Sequence, residues 1–280
     1  MDKTIKKYAP FFLLPTLVAF AIGFVVPFVM GIYLSFCNFT TVRDANFVGI
    51  ANYVKAFSDA TFGHALGFTA LFTVVTVAVI NVAAFGLALL LTRGIRGTNA
   101  FRTIYFMPNL IGGIVLGYIW QILLNGVLAQ FQRTLTYDST YGFWGLVILL
   151  CWQQIGYMMV IYIAGIQNIP GELVEAARLD GASGWQVLRN VTLPMIMPAI
   201  TICTFLSLTN AFKLFDQNLA LTGGEPSGMT EMLALNIYNT FYGRSGWEGV
   251  GQAKAVVFFV LVAIIAYVQN RITRSKEVVH

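Results

Sequence analysis

The groups in this chain with chemistry to offer are amides, aromatic rings and a few charges embedded in apolar sequence. Trp152, Gln153, Gln154 and Tyr157 fall in one long apolar run. On a helix, Gln153 and Tyr157 are four apart and share a face. Side-chain amides bond hydroxyls, and aromatic rings cover the C–H faces of a sugar, so this face suits a neutral polyhydroxylated ligand. The same groups equally serve as hydrogen bonds between packed membrane helices, and at this point both readings stand. A later run holds Asn210, Phe212, Lys213 and Asp216. Lys213 and Asp216 have the three-residue spacing that permits an ion pair on a helix. An earlier run places Asn109 directly after Pro108, followed by Gly112, Gly113 and Gly117. Gly113 and Gly117 have the small-xxx-small spacing of helix packing, and Pro108 with the glycines loosens that helix. Asn81 reads as a packing residue.

Covalent and hydrolytic chemistry finds little support. The dipeptide Gly-Lys does not occur, so the chain has no phosphate-cradling P-loop and is not expected to hydrolyse ATP. Its histidines are His64 and His280, without metal-ligand spacing. No Ser-His-Asp arrangement is present, and His64 reads as a solvated loop residue. The chain is therefore expected to be no enzyme and to bind no cofactor or metal itself.

These residues must be positioned by membrane-spanning helices. The chain of 280 residues is 58% hydrophobic and 10% charged, more apolar surface than a soluble domain of this size can hide. Six apolar runs, at about 11–36, 67–92, 104–124, 143–166, 195–216 and 252–270, approach or exceed the roughly 20 residues that a bilayer requires. The first follows Lys3, Lys6 and Lys7 but is too long for a signal peptide and lacks a clean small-residue cleavage site. Cys37, Cys151 and Cys203 are too scattered for a disulfide framework.

The net charge of +5 reports topology rather than nucleic-acid binding. With the N-terminus inside, eleven basic residues fall on that side: Lys3, Lys6, Lys7, Arg93, Arg96, Arg102, Arg178, Arg189, Arg271, Arg274 and Lys276. Four fall outside, Arg43, Lys55, Arg133 and Arg244, while Lys213 and Lys254 lie in or beside spans. This is the positive-inside pattern, with both termini cytoplasmic. The expected fold is an all-α integral membrane protein of six transmembrane helices, one domain over 1–280 with its core at about 11–270. The outer segments 37–66 and 217–251 are expected to form short amphipathic helices.

Between spans four and five lies a polar stretch, about 168–193, that has no reason to sit in lipid. Pro170 suits a helix start, Glu172 and Glu175 suit the positive end of the helix dipole, and Asp180-Gly181 ends the helix with Gly181 left-handed. Ser183 is a plausible N-cap of a second short helix running to about Asn190, and Pro194 is expected to start the fifth span. Ala176 and Ala177 let another protein approach closely. A lipid-surface loop would carry an excess of basic residues. This one sets Arg178 and Arg189 against Glu172, Glu175 and Asp180, which favours docking to a protein.

Glu175-Ala176-Ala177, Asp180-Gly181-Ala182, Leu188, Val191, Leu193-Pro194 and Pro198 resemble the ATPase-docking (EAA) loop of ABC-importer permeases. Leu188 stands where that family usually has Phe. Phe47 to Tyr53, Thr222 to Pro226 and Leu233 to Tyr238 resemble further phrases of the sugar branch, the maltose/glycerol-phosphate type in its six-span form. The likeness covers about residues 10 to 272. It implies a permease subunit in a bacterial cytoplasmic (inner) membrane, paired with a second, homologous permease as a heterodimer. Two ATPase subunits that use ATP and Mg, and an extracytoplasmic solute-binding protein, complete the implied machine. Glu172, Glu175, Ala176, Ala177, Asp180, Gly181, Ala182 and Leu188 would form the coupling loop. Carry-over from the family places Asn109, Gly113, Gln153, Gln154, Tyr157, Phe212 and Lys213 near the substrate. The implied cargo is a carbohydrate, with an oligosaccharide foremost. Alternatives are a phosphate ester, a polyamine or an oligopeptide on the same machine, or an ion-coupled transporter, which would want more carboxylates in its spans than Asp216.

Overall fold

The computed structural model describes residues 2–94 and 96–274, with side chains from Phe11 to Ile272 apart from residue 95. The side chains of Lys3, Lys6, Lys7 and Arg274, and the whole of Lys276 and His280, therefore lie outside the described residues. Four unbroken helices are long and apolar enough to cross a membrane: Phe11–Leu34, Ala60–Leu91, Ser139–Gln167 and Glu248–Ile272. Two further spans are bent pairs, Thr98–Leu110 with Gly113–Ala129 and Gly184–Met195 with Met197–Phe212. The six expected spans are thus present, with two of them broken.

Each break has a local cause. In the third span Pro108 sits in a tight 3-10 turn, Met107–Leu110, and Ile111 and Gly112 are extended, so the axis turns by 102°. Proline removes a helical N–H and crowds the carbonyl four residues back, and the glycine that follows resists the bend least. In the fifth span the wide π-turn Leu188–Thr192 precedes Pro194. Ile196 then leaves helical geometry, and Pro198 enters the next helix at its second position. This break of 71° corrects the expectation that Pro194 starts the span. Helical structure from Gly184 reaches Met195, and the membrane-length arm begins at Met197.

The chain parts into two compact units: the sequence up to Ala60 with Ile237–Phe259, and Thr61–Asn236 with the sequence from Val260 on. The first unit contains the short hairpin Cys37–Asn38 with Asn46–Phe47 and the helices Ala51–Ser58 and Leu233–Gly243, the latter mostly within it. Thr41 and Asp44 close the hairpin turn with a capping box. The Thr41 backbone N–H, with that of Thr40, holds the Asp44 carboxyl below its ordinary range. Asn52 donates to the carbonyls of Ser35 and Cys37, at 3.0 and 2.8 Å. Lys254, fully buried, donates to Asp59 and Thr240, each at 2.8 Å, and Arg244 reaches the same Asp59 oxygen at 3.1 Å. A buried ammonium needs such partners.

The second unit has a core of Phe72, Ile80, Leu146, Leu149, Met158 and Met159, among others. One polar triad crosses it. Tyr162 donates to Asn81 at 2.7 Å, Asn81 donates to Ser207 at 2.8 Å, and Ser207 donates to the Cys203 carbonyl at 2.7 Å. Asn81 is a packing residue, and Cys151 and Cys203 are free and buried.

Candidate functional site

The loop between spans four and five builds itself from local bonds. Pro170 immediately precedes the helix Gly171–Leu179, with Glu172 in its first turn. At the other end Gly181 has φ +83° and donates to the Arg178 carbonyl at 3.1 Å. Ala182 donates to the Ala177 carbonyl at 3.0 Å. This pair of bonds is the Schellman closure, which needs a left-handed residue where Gly181 stands. Ser183 and Gln186 then form a reciprocal capping box: Ser183 N–H donates to Gln186 Oε1 at 2.7 Å, and Gln186 N–H donates to Ser183 Oγ at 3.4 Å.

Of the predicted docking residues, Glu172, Glu175, Ala176, Asp180 and Gly181 are exposed, while Ala177, Ala182 and Leu188 are half-buried. No residue of Gly171–Leu179 is buried. Two residues that sequence reasoning passed over stand out: Leu179 is 88% exposed and Trp185 67%. Their signal was available, since both are large apolar side chains inside a polar stretch.

The second feature is a cavity of about 380 Å³ lined by Gln154, Asn210, Lys213, Asp216 and Gln217, with Leu150, Leu214 and Phe215. Helix Met197–Phe212 ends just before Lys213, and Asp216 opens the short helix Asp216–Leu221. The two charges therefore do not share a helix, and no ion pair joins them among the described residues. Both stand on the cavity wall with three amides, giving a polar lining of balanced charge. Asn210 donates to Gln154 Oε1 at 3.3 Å.

The predicted ligand residues divide around this cavity. Gln154 and Lys213 line it. Gln153, only 6% exposed, lies behind the wall. It donates to the Ile111 carbonyl at 3.3 Å and accepts from Gln217 at 2.8 Å. Gly113 packs against the wall from outside, since a Cβ added there would stand 2.7 Å from that of Asp216. One at Gly117 would stand 2.5 Å from that of Ala220, so this glycine pair serves helix packing. Tyr157 is half-buried against Phe106, with ring centroids 6.2 Å apart, and Phe212 is buried. Asn109 is half-buried in the 3-10 turn. These last three are not on the cavity wall. Gln217 was missed because it lies past the end of the expected fifth span, in the outer segment 217–251.

The sequence model described as "Binding-protein-dependent transport system inner membrane component" matches residues 86–277. The probable starch degradation products transport system permease protein AmyD of Thermoanaerobacterium thermosulfurigenes is 44% identical, over 95% of this chain and 94% of its own. The multiple sugar-binding transport system permease protein MsmF of Streptococcus mutans is 31% identical, over 99% of each. Among solved structures, a bacterial ABC transporter involved in the import of the acidic polysaccharide alginate superposes with a TM-score of 0.82 over 98% of both chains. Its sequence is 21% identical, so the likeness speaks for the fold.

Proposed function

The chain belongs to the family of inner membrane components of binding-protein-dependent transport systems, and from that premise we propose that it is the permease subunit of an ATP-driven importer of carbohydrate. It is a multi-pass membrane protein. The observation that carries the mechanism is the loop 171–187, self-capped at both turns and exposed. A loop that buries only Val187 in its own chain, yet presents Leu179 and Trp185, is built to receive another protein. The receiving partner is an ATPase subunit, one of two, which supplies the ATP and Mg chemistry that this chain lacks. A second, homologous permease subunit completes the path. A solute-binding protein delivers the sugar from outside, and both termini lie in the cytoplasm of a bacterial cell bounded by this inner membrane. The whole of 1–280 acts as one permease domain.

Cargo follows from the cavity. Three amides and two opposite charges offer donors and acceptors without net charge, which suits a polyhydroxylated neutral solute. The cargoes named for the relatives, starch degradation products and multiple sugars, support the same class. Lys213 on the cavity wall keeps a sugar phosphate as the second reading.

The test is uptake of maltotriose by the full transporter in vesicles supplied with ATP, comparing the wild type with Gly181→Asp. A side chain at φ +83° strains the Schellman closure and adds a charge to the docking surface. Uptake should fall at least about 100-fold, as losses at a central docking contact commonly do, with the chain still in the membrane. Normal uptake by the variant removes the docking claim, and uptake that stops on collapse of the proton gradient with ATP intact removes the ATP-driven one.

A further inference from the structure

We infer that Gln153 is a positioning residue, which fixes Gln217 as a hydrogen-bond acceptor facing the cavity and so selects a ligand that donates a hydroxyl there. This deepens the carbohydrate reading above and rests on it for the identity of the ligand. The argument begins at the break in the third span. A carbonyl released at a helix end needs a donor, and in a membrane no water supplies one. The Ile111 carbonyl lies at this break, outside both arms of the span. Its donor is Gln153 Nε2 at 3.3 Å, from the neighbouring span.

Polarity then propagates. A carbonyl only accepts, so Gln153 must turn its NH2 group toward Ile111, which points its Oε1 the other way. That oxygen can only be met by a donor. Gln217 Nε2 meets it at 2.8 Å. Gln217 keeps a second Nε2–H, but its carbonyl Oε1 is left as an acceptor directed away from Gln153, and this residue lines the cavity. An amide alone could flip and offer either group to a ligand. Here the flip is blocked by the Ile111 carbonyl at the far end of the relay, because reversing either amide would set oxygen against oxygen at a part-buried contact. Among the described residues no backbone carbonyl bonds the Gln154–Asn210 pair, which carries no such constraint.

The experiment is a double-mutant cycle in the complete transporter in vesicles, with Gln153→Met, Gln217→Met and the double variant, reading KM and kcat for maltotriose uptake. Methionine keeps the volume and removes the amide. Each single variant should raise KM about tenfold, the effect of one lost hydrogen bond of this kind, with kcat nearly unchanged. The double variant should be no worse than either single. Multiplying effects would mean that Gln153 touches the sugar or supports the fold independently, and would overturn the inference.

Gln217→Glu gives a second route that does not remove the outward acceptor. As a carboxylate it cannot donate to Gln153, so KM should rise as in Gln217→Met, and a wild-type KM in this variant at alkaline pH would also overturn the inference. If the wild type takes up no maltotriose, the cargo reading is what has failed. The same cycle is then read without sugar, from hydrogen exchange of the 216–221 amides. Faster exchange in both singles and no further rise in the double sustains the relay, while additive rises end it.

Discussion

The loop 171–187 and the polar cavity are positioned by opposite means. Every bond that shapes the loop is local: the Schellman closure spans Ala177 to Ala182, and the capping box links Ser183 to Gln186. The cavity depends on partners far apart in sequence, with Gln153 bonded 42 and 64 residues away and Gln154 bonded 56 away. A local device can project from the body of the protein and keep its shape, which a docking surface needs. A site shared by two spans and a short helix can change shape when one of them moves, which a passage needs. Two glycines mark the contrast. Gly181 has nothing within 4 Å of an added Cβ and is required for its φ of +83°. Gly156 lies in ordinary helix but would drive a Cβ into the backbone carbonyl of Tyr105.

Gly156→Ala should therefore have the largest effect on the cavity side. The helix Thr98–Phe106 lies against Ser139–Gln167 at this point, and backbone cannot yield as a side-chain end can. Overpacking of this kind costs about 3 kcal/mol. The unfolding temperature in detergent should fall by several degrees, and assembly with partners should suffer. Gly181→Asp should leave that temperature nearly unchanged while ending uptake. If the two variants exchanged these signatures, the division between a space-filling glycine and a conformational one would be broken.

Next in size are Leu179→Ala and Trp185→Ala. Their side chains are exposed, so truncation removes little packing within the chain. If they are buried only on docking, each should reduce uptake about tenfold, the effect of losing one apolar anchor. KM for the sugar should hold steady, in contrast to the Gln153 and Gln217 variants. A change confined to KM would attach these residues to the cavity instead.

What was legible in the sequence follows the same division. The loop's helix start, the left-handed Gly181 and the Ser183 cap were readable because each is decided by neighbours within a turn or two. The six spans were readable because length and apolarity suffice. The break in the fifth span was not legible, since Pro194 looks like the first-turn proline that starts a span. The π-turn Leu188–Thr192 accommodates it instead, and Pro198 lies where the axis bends. Gln154 and Lys213 could be picked out as polar groups in apolar runs. The role of Gln153 could not, because its partners lie on two other elements. Lys254 was seen only as a charge at the edge of a span. Its burial with Asp59, 195 residues away, has no signature in either local stretch.

The smallest expected effect tests whether the loop is as self-contained as its bonds imply. Ser183→Ala removes the oxygen that accepts from Gln186 N–H and leaves Gln186 without its reciprocal partner. Loss of such a cap costs about 1 kcal/mol, which corresponds to roughly fivefold faster hydrogen exchange across 183–187. The cavity amides are not bonded to this segment, so exchange at 216–221 and KM should not change. Because the second helix continues through the π-turn into the fifth span, a propagated effect would show first as faster exchange beyond Ile196. Finding it there would mean that the loop and the cavity share one mechanical element, and that the exposed cap helps to set the shape of the cavity wall.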